Sequence, residues 1–349
     1  MRVASRSVPA LLSDLTTLRL GGPAARTITV ASTDELVDAV RAADASGEPV
    51  LIVGGGSNLV IADEGWPGVV VLVRSDRVDG LGVIGSGDAI VTAQAGVVWD
   101  ELVALTVREG LSGLAPMSGI PGLAGATPVQ NVGAYGSEVA DVIVELTVLD
   151  RQGGVVEAWT PERCGFGFRT SAFKHTDRYV VLDVTFGLQR SELSRPVRYT
   201  ELARRLGIEP GDVAPSEKVR DVVLELRRSK GMLLDASDHD TWSVGSFFVN
   251  PFVAPEQVPE GCPNWTVDGQ VKLSAAWLIE NAGFHKGFSG FGGGRDTVAV
   301  STKHTLALTN RGGATTAELL ALAAEIRAGV EARFGIRLRP EAHLVGVDF

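Results

Sequence analysis

The chain has 349 residues, 45% of them hydrophobic and 21% charged, and carries a net charge of −10. That length suggests two or three domains of roughly 100–200 residues each, and the mixed composition excludes a disordered chain. The acidic balance argues against binding nucleic acid or an anionic membrane surface, both of which need a long-range positive field.

In chain order, Thr27–Val30 reads as a strand. Ser32-Thr-Asp-Glu35 is a capping box opening a helix, with Leu36, Ala39, Val40 and Ala43 on one face and Gly47 and Pro49 closing it. Val50–Val53 is a short buried strand that runs into Gly54-Gly55-Gly56-Ser57-Asn58, and Val69–Val73 is another strand. Ala89–Ala95 reads as a strand, after which Trp99, Leu102, Val103, Thr106 and Val107 recur at helical spacing until Gly110. Strands follow at Val142–Leu149, Gly154–Trp159 and Tyr179–Phe186, whereas Ser191–Pro215 is polar and reads as an irregular linker or lid. A helix spans Glu217–Arg228, and strands are expected at Thr297–Val300 and Thr305–Leu308. The last helix opens at the capping box Thr315-Thr-Ala-Glu318 and buries Leu319, Ala323, Ile326, Val330 and Phe334.

No apolar run approaches the roughly 18 residues of a membrane span, and the first ten residues lack the apolar core of a signal peptide. The two cysteines, Cys164 and Cys262, are far apart, and the five histidines show no HExxH spacing. No metal site is expected, and a reducing cytoplasm fits. Cations are lopsided, 26 Arg to 6 Lys, so each lysine merits inspection.

Glycine is in excess: 42 residues, about 12% against a usual 7%. Fourteen of them fall in Gly54–Gly56, Gly119–Gly136 and Gly283–Gly294. Gly80-Leu-Gly82-Val-Ile-Gly85 spells GxGxxG, but a phosphate-binding loop needs a helix after it. Here Asp88–Ala95 alternates like a strand, so a hairpin is the better reading. The Gly54–Asn58 segment at a strand end can aim successive amides inward as an anion nest, or be a tight turn. Gly119-Ile-Pro-Gly122-Leu-Ala-Gly125-Ala-Thr-Pro-Val-Gln130-Asn131-Val-Gly133-Ala-Tyr135-Gly136 lets backbone approach a flat ligand, with Gln130, Asn131 and Tyr135 offering hydrogen bonds. In Gly245-Ser246-Phe-Phe-Val-Asn250-Pro251 the serine has no adjacent histidine to make it a nucleophile.

Together these segments resemble the UDP-N-acetylenolpyruvoylglucosamine reductase (MurB) family, type I subclass. The likeness runs from Thr17-Leu-Arg-Leu-Gly21-Gly22 to Leu338-Arg-Pro-Glu341, through Cys164-Gly-Phe-Gly-Phe-Arg169-Thr-Ser171-Ala-Phe-Lys174. It implies an α+β flavoprotein of the vanillyl-alcohol-oxidase class, also called PCMH-like. Residues 1–74, with 336–349 returning, and 75–214 would form the two FAD-binding subdomains, and 215–335 a substrate-binding domain. FAD would be held by Gly54, Gly55, Gly56, Ser57 and Asn58, by Gly119, Ile120, Pro121 and Gly122, and by Gly125, Ala126, Thr127, Gln130, Asn131, Gly133, Ala134 and Tyr135.

The activity the resemblance implies is reduction of UDP-N-acetylglucosamine enolpyruvate to UDP-N-acetylmuramate in peptidoglycan synthesis, with NADPH as reductant. Hydride would pass from flavin N5 to the terminal enol carbon, and Ser246 would deliver a proton to C2. Arg169 and Glu341 would flank the substrate carboxylate, where a planar, permanently charged guanidinium suits a carboxylate. Tyr199, Arg227, Lys230 and Asn250 would contact the substrate, Arg227 and Lys230 meeting its diphosphate and the phosphates of the nicotinamide cofactor. Phe168 departs from the family, in which tyrosine is common at that position. The implied protein is a cytoplasmic monomer with no nucleic-acid or membrane partner. Two rivals stay open at this point: an oxidase of the same fold, and a nucleotide-sugar binding protein without flavin.

Overall fold

The structure is a computed structural model describing residues 10–84, 88–267, 269–291 and 295–349. It divides into two compact units, the first built on Ala25–Gly55 and Pro67–Arg228, the second on Ala10–Ala24, Gly56–Trp66 and Ser229–Phe349.

In the first unit helix α1 (Thr33–Ser46) starts where Ser32 Oγ accepts the Glu35 N–H at 3.2 Å, and it stops at Gly47, whose φ is 68°. Its buried Leu36, Val40 and Ala43 pack with Val69 and Val71 of a three-stranded sheet made from Ala24–Val30, Trp66–Val73 and Val50–Val53. The last two strands are parallel, so Val50–Val53 delivers its C-terminal end directly to Gly54.

A second, antiparallel sheet runs in the order Val155–Trp159, Ile143–Asp150, Tyr179–Arg190, Asp88–Gln94, Val78–Ile84, with Leu111–Ser112 also paired to Tyr179–Arg190. Helix α2 (Trp99–Arg108) buries Trp99, Leu102 and Val103 in the core of this sheet, Trp99 lying 5.8 Å from Phe186 between ring centres. The one-turn helix α3 (Pro161–Cys164) adds Cys164 to the same core. Val78–Ile84 pairs antiparallel with Asp88–Gln94, so the GxGxxG match is a hairpin and not a phosphate loop; its Gly85 lies outside the described residues.

One expectation is corrected here. The Ser191–Pro215 stretch holds helix α4 (Thr200–Leu206), ended by Gly207 at φ 74°. Its Leu202, Ala203 and Leu206 are buried with Val219, Val223 and Leu226 of helix α5 (Ser216–Ser229). Two turns carrying Glu201, Arg204 and Arg205 outside are too short for the apolar period to stand out.

The second unit has a single core, to which Leu18, Val60, Phe247, Phe248, helix α6 (Ala275–Asn281) and helix α7 (Thr316–Phe334) all contribute. Helix α7 has the expected capping box, Thr315 and Glu318 exchanging bonds. An antiparallel sheet of Phe252–Val253, Gln270–Leu273 and Asn264–Val267 was not legible in the sequence. The strand expected at Thr305–Leu308 begins only at Leu308 and pairs with Val298–Val300, because the turn joining them extends to Ala307. Leu59–Ile61 pairs in parallel with His343–Val345. No helix among the described residues is long and apolar enough to cross a membrane.

Candidate functional site

The first unit gathers two of the glycine tracts. A Cβ built on Gly55 would lie 2.8 Å from the Gly122 Cα, and one on Gly125 would lie 2.4 Å from the Ala95 Cβ. Backbone therefore meets backbone at Gly55 and a fixed methyl group at Gly125, and neither position leaves room for a Cβ. The Gly54 carbonyl is taken by Arg74 at 3.1 Å, while among the described residues the N–H groups of Gly54 and Gly55 donate to no protein acceptor. Polar donors held at a strand end beside a second open loop fit a diphosphate-bearing group such as FAD.

The start of the second tract is pinned by a residue that sequence reasoning missed. Asp100, in the first turn of α2, accepts the Gly119 N–H at 2.6 Å and grips Arg220 of α5 through two bonds of 2.6 and 2.8 Å. Burial raises the Asp100 pKa, but the Arg220 and Gly119 bonds outweigh it and leave the carboxyl below its usual range. Arg227, seven residues along α5, is 8% exposed. Its burial lowers its pKa, and the Asp100 carboxylate works in the opposite direction.

The far end of the tract is a hairpin, Gly133–Ala134 paired with Ser137–Glu138. Its two turn residues, Tyr135 and Gly136, have φ of 50° and 80°, the type I′ geometry that usually calls for Asn-Gly. Tyr135 meets Tyr199 edge-on at 5.5 Å, and burial pushes its phenol up to about 12, so it stays a hydrogen-bond donor at any physiological pH. Thr127 is buried, with its hydroxyl donated to the Ala124 carbonyl. Asn131 is 2% exposed, and its amide group is bonded to Glu138, Gly167 and Ala140.

Arg169 lies on the loop facing that hairpin. Its Nη2 donates to the Gly133 carbonyl at 2.8 Å, and Nη1 reaches the Asn131 carbonyl at 3.3 Å and Glu138 at 3.4 Å. Arg169, Asn131 and Tyr135 are three of the five non-glycine residues with positive φ among the described residues. Each such residue costs about 1–3 kcal/mol and survives where surroundings over-determine it, typically at functional sites. Phe168 leaves only a ring face, 5.2 Å from the guanidinium carbon of Arg169.

The second unit holds the other expected residues. Phe247 donates its N–H to Leu306 at 2.7 Å, and its carbonyl accepts the Glu341 N–H at 2.7 Å; Val249 donates to Arg339 at 3.1 Å. Between these bonds Phe248 faces Pro340, a pair position where proline's missing N–H costs no bond. Two residues beyond Glu341, His343 donates to the Asn58 carbonyl at 2.9 Å. One backbone ladder thus brings Ser246, Glu341 and Asn58 together.

Ser246 is half-buried, and its hydroxyl has no hydrogen-bond partner among the described residues. At Gly56, φ is 60° and a Cβ would lie 1.9 Å from the Leu15 carbonyl oxygen, so glycine is obligatory. Asn250 lends its Oδ1 to the Ala275 N–H at 2.9 Å, which caps α6. Lys230 is half-buried, directly after α5. In the third glycine tract, described as far as Phe291, Gly283, Gly287 and Gly290 have φ of 99°, 81° and 124°, conformations that favour glycine, and Phe284, Phe288 and Phe291 cluster there.

Comparison with known proteins gives two family models: an FAD binding domain over residues 24–158, and the C-terminal domain of UDP-N-acetylenolpyruvoylglucosamine reductase over residues 237–345. The UDP-N-acetylenolpyruvoylglucosamine reductase of Thermobifida fusca is 54% identical over 361 residues, covering 98% of either chain. That of Salinispora arenicola is 54% identical over 347 residues, covering 96% of this chain and 94% of its own. Among solved structures, UDP-N-acetylenolpyruvylglucosamine reductase (MurB) from Thermus caldophilus superposes with a TM-score of 0.67 at 25% identity, over 98% of this chain and 99% of that one. The expected α+β architecture, a flavin-binding module with a further C-terminal domain, is the one found.

Proposed function

The chain belongs to the UDP-N-acetylenolpyruvoylglucosamine reductase family and is an FAD-containing oxidoreductase of peptidoglycan synthesis, and from that premise we propose how its residues divide the work. The substrate is UDP-N-acetylglucosamine enolpyruvate and the reductant NADPH. FAD, when bound, carries hydride from NADPH to the terminal carbon of the enol ether. Gly54–Gly56 with Ser57 and Asn58, and the Gly119–Tyr135 tract, cradle it.

Hydride arriving at the terminal carbon leaves negative charge on C2 and the adjoining carboxylate. Arg169 meets that charge with a guanidinium whose direction is fixed by the Gly133 carbonyl. Preorganised donors of this kind are worth about 3–4 kcal/mol each. Ser246 gives its proton to C2, and a serine with no neighbouring base keeps that proton available. Glu341, tied by backbone to the Ser246 segment, completes the carboxylate end. Arg227, Lys230, Tyr199 and Asn250 hold the nucleotide sugar. The balance is closed: one hydride and one proton are added across the double bond, and NADPH becomes NADP.

The observation that carries the catalytic assignment is the ladder joining Phe247 to Glu341, which keeps proton donor and carboxyl on one rigid element. The proposal includes the three-part division at 74, 214 and 335, a cytoplasmic location and a monomeric state. The test is NADPH oxidation by flavin-loaded protein, with and without the enolpyruvyl nucleotide sugar. Oxidation that does not depend on that substrate would sink it.

A further inference from the structure

The Arg169 guanidinium does not rest on the flavin tract alone. Glu138, at the end of the Gly133–Glu138 hairpin, places Oε1 3.4 Å from Arg169 Nη1 and accepts from Asn131 Nδ2 on Oε2 at 2.7 Å. Asn131 Nδ2 also donates to the Gly167 carbonyl at 3.1 Å, and its Oδ1 accepts the Ala140 N–H at 3.1 Å. Asn131 is thereby a staple between the hairpin loop and the loop that carries Arg169 two residues after Gly167. Its own carbonyl takes Arg169 Nη1 at 3.3 Å. Asn131 and Arg169 both sit at left-handed φ, 47° and 53°, so each needs outside restraint to stay there.

We propose that Glu138 is a positioning residue for Arg169, acting through its charge on one guanidinium edge and through Asn131 on the loop beneath. This rests on the reading of Arg169 as the group that meets the substrate carboxylate. The 3.4 Å contact is longer than the roughly 2.7–2.9 Å of a full charge-assisted bond. Glu138 therefore restrains the guanidinium plane, while its firm bond goes to Asn131. The Gly133 carbonyl at 2.8 Å anchors Nη2 and the Asn131 carbonyl stays with Nη1, so removing Glu138 loosens the Nη1 edge and not the whole side chain.

The test separates the two half-reactions, flavin reduction by NADPH and flavin reoxidation by the enolpyruvyl nucleotide sugar, in Glu138→Gln and Glu138→Ala. Glutamine can keep the acceptor for Asn131 but loses the charge and puts an NH2 donor in place of the oxygen that faces Arg169; alanine loses both contacts. The expected result is flavin content and NADPH-driven reduction at wild-type levels. Reoxidation slows in the order wild type, Gln, Ala, by roughly 10–100-fold for a supporting residue of this kind, with a raised KM for the nucleotide sugar. In an Arg169→Ala background, Glu138→Ala should add no further slowing, because the residue it positions is gone.

Wild-type reoxidation in both Glu138 variants, or slowing that multiplies with that of Arg169→Ala, overturns the proposal. So does loss of flavin from both variants, which would mean a merely structural role. Arg169→Ala alone tests the underlying reading: normal reoxidation there sinks the role of Arg169. A slow Arg169→Ala beside a normal Glu138→Ala sinks only the positioning.

Discussion

Glu341 donates its backbone N–H to the carbonyl of Phe247 at 2.7 Å, which sets the glutamate beside the residue that follows Ser246. Phe247 is fully buried and clasped on its other side by Leu306, so the ladder cannot shift without opening the core of the second unit. Ser246 accordingly has a fixed backbone, and its replacement removes a hydroxyl without moving Glu341. Ser246→Ala is expected to leave flavin reduction by NADPH at its wild-type rate and to slow reoxidation by the nucleotide sugar about 10²–10⁴-fold, the usual worth of a positioned proton donor. Stopped-flow absorbance in the visible flavin band reads both steps. Equal slowing of the two would mean that the serine is structural.

Asp100 ties three pieces of the first unit together: the N-terminus of α2, the Gly119 amide and Arg220 on α5. Its carboxyl, lowered on balance below the ordinary range, adds stability that is fully present above the unfolded carboxylate pKa. That stability is lost as pH falls through the folded value. Asp100→Asn should therefore lower stability at neutral pH, by about 1–3 kcal/mol for a charged hydrogen-bond set that is partly exposed. It should also flatten the loss that the wild type shows on acidification. Urea unfolding at neutral and acid pH checks the sign, and weaker retention of FAD is expected because the Gly119 turn loses its anchor.

At Gly55 the two tracts touch, and a methyl group there would press on the Gly122 backbone at 2.8 Å. Neither partner is a flexible side-chain end, so the loops must part. Gly55→Ala is expected to cost about 1–3 kcal/mol through overpacking and to yield protein with less bound flavin than wild type. Full flavin content with unchanged unfolding would show that the contact is slack.

Much of this was legible because local rules agree with the fold. The capping box at Thr315 forms as read, and the alternation after Gly85 turned a phosphate-loop match into a hairpin. At Ser32 the hydroxyl caps the Glu35 N–H, but the Glu35 side chain takes the Ala31 N–H instead of that of Ser32. The glycine tracts and Arg169 stood out as motifs. Asp100 and Glu138 did not, because an acid in a first helical turn or after a hairpin looks like routine capping. Their partners, Arg220 and Arg169, lie 120 and 31 residues away, and spacing in sequence carries no sign of such pairs. Helix α4 was hidden by its brevity. The role of Asn131 was hidden because a buried amide and a ligand-facing one are the same letter.

Cys164 provides a check on the first unit that needs neither flavin nor substrate. It is fully buried, with Sγ donated to the Thr160 carbonyl at 3.3 Å, and burial pushes its thiol up to about 11. Cys262, in the second unit, is also buried and is shifted upward by the same cause. The thiolate is the reactive species, so both cysteines should resist alkylation in native protein at mildly alkaline pH and react fully in denaturant. A reagent that labels Cys164 quickly without unfolding the chain would contradict the packing of α3 against the antiparallel sheet. Labelling of Cys164 that rises in step with unfolding of the first unit would instead report that unit's stability separately from the second.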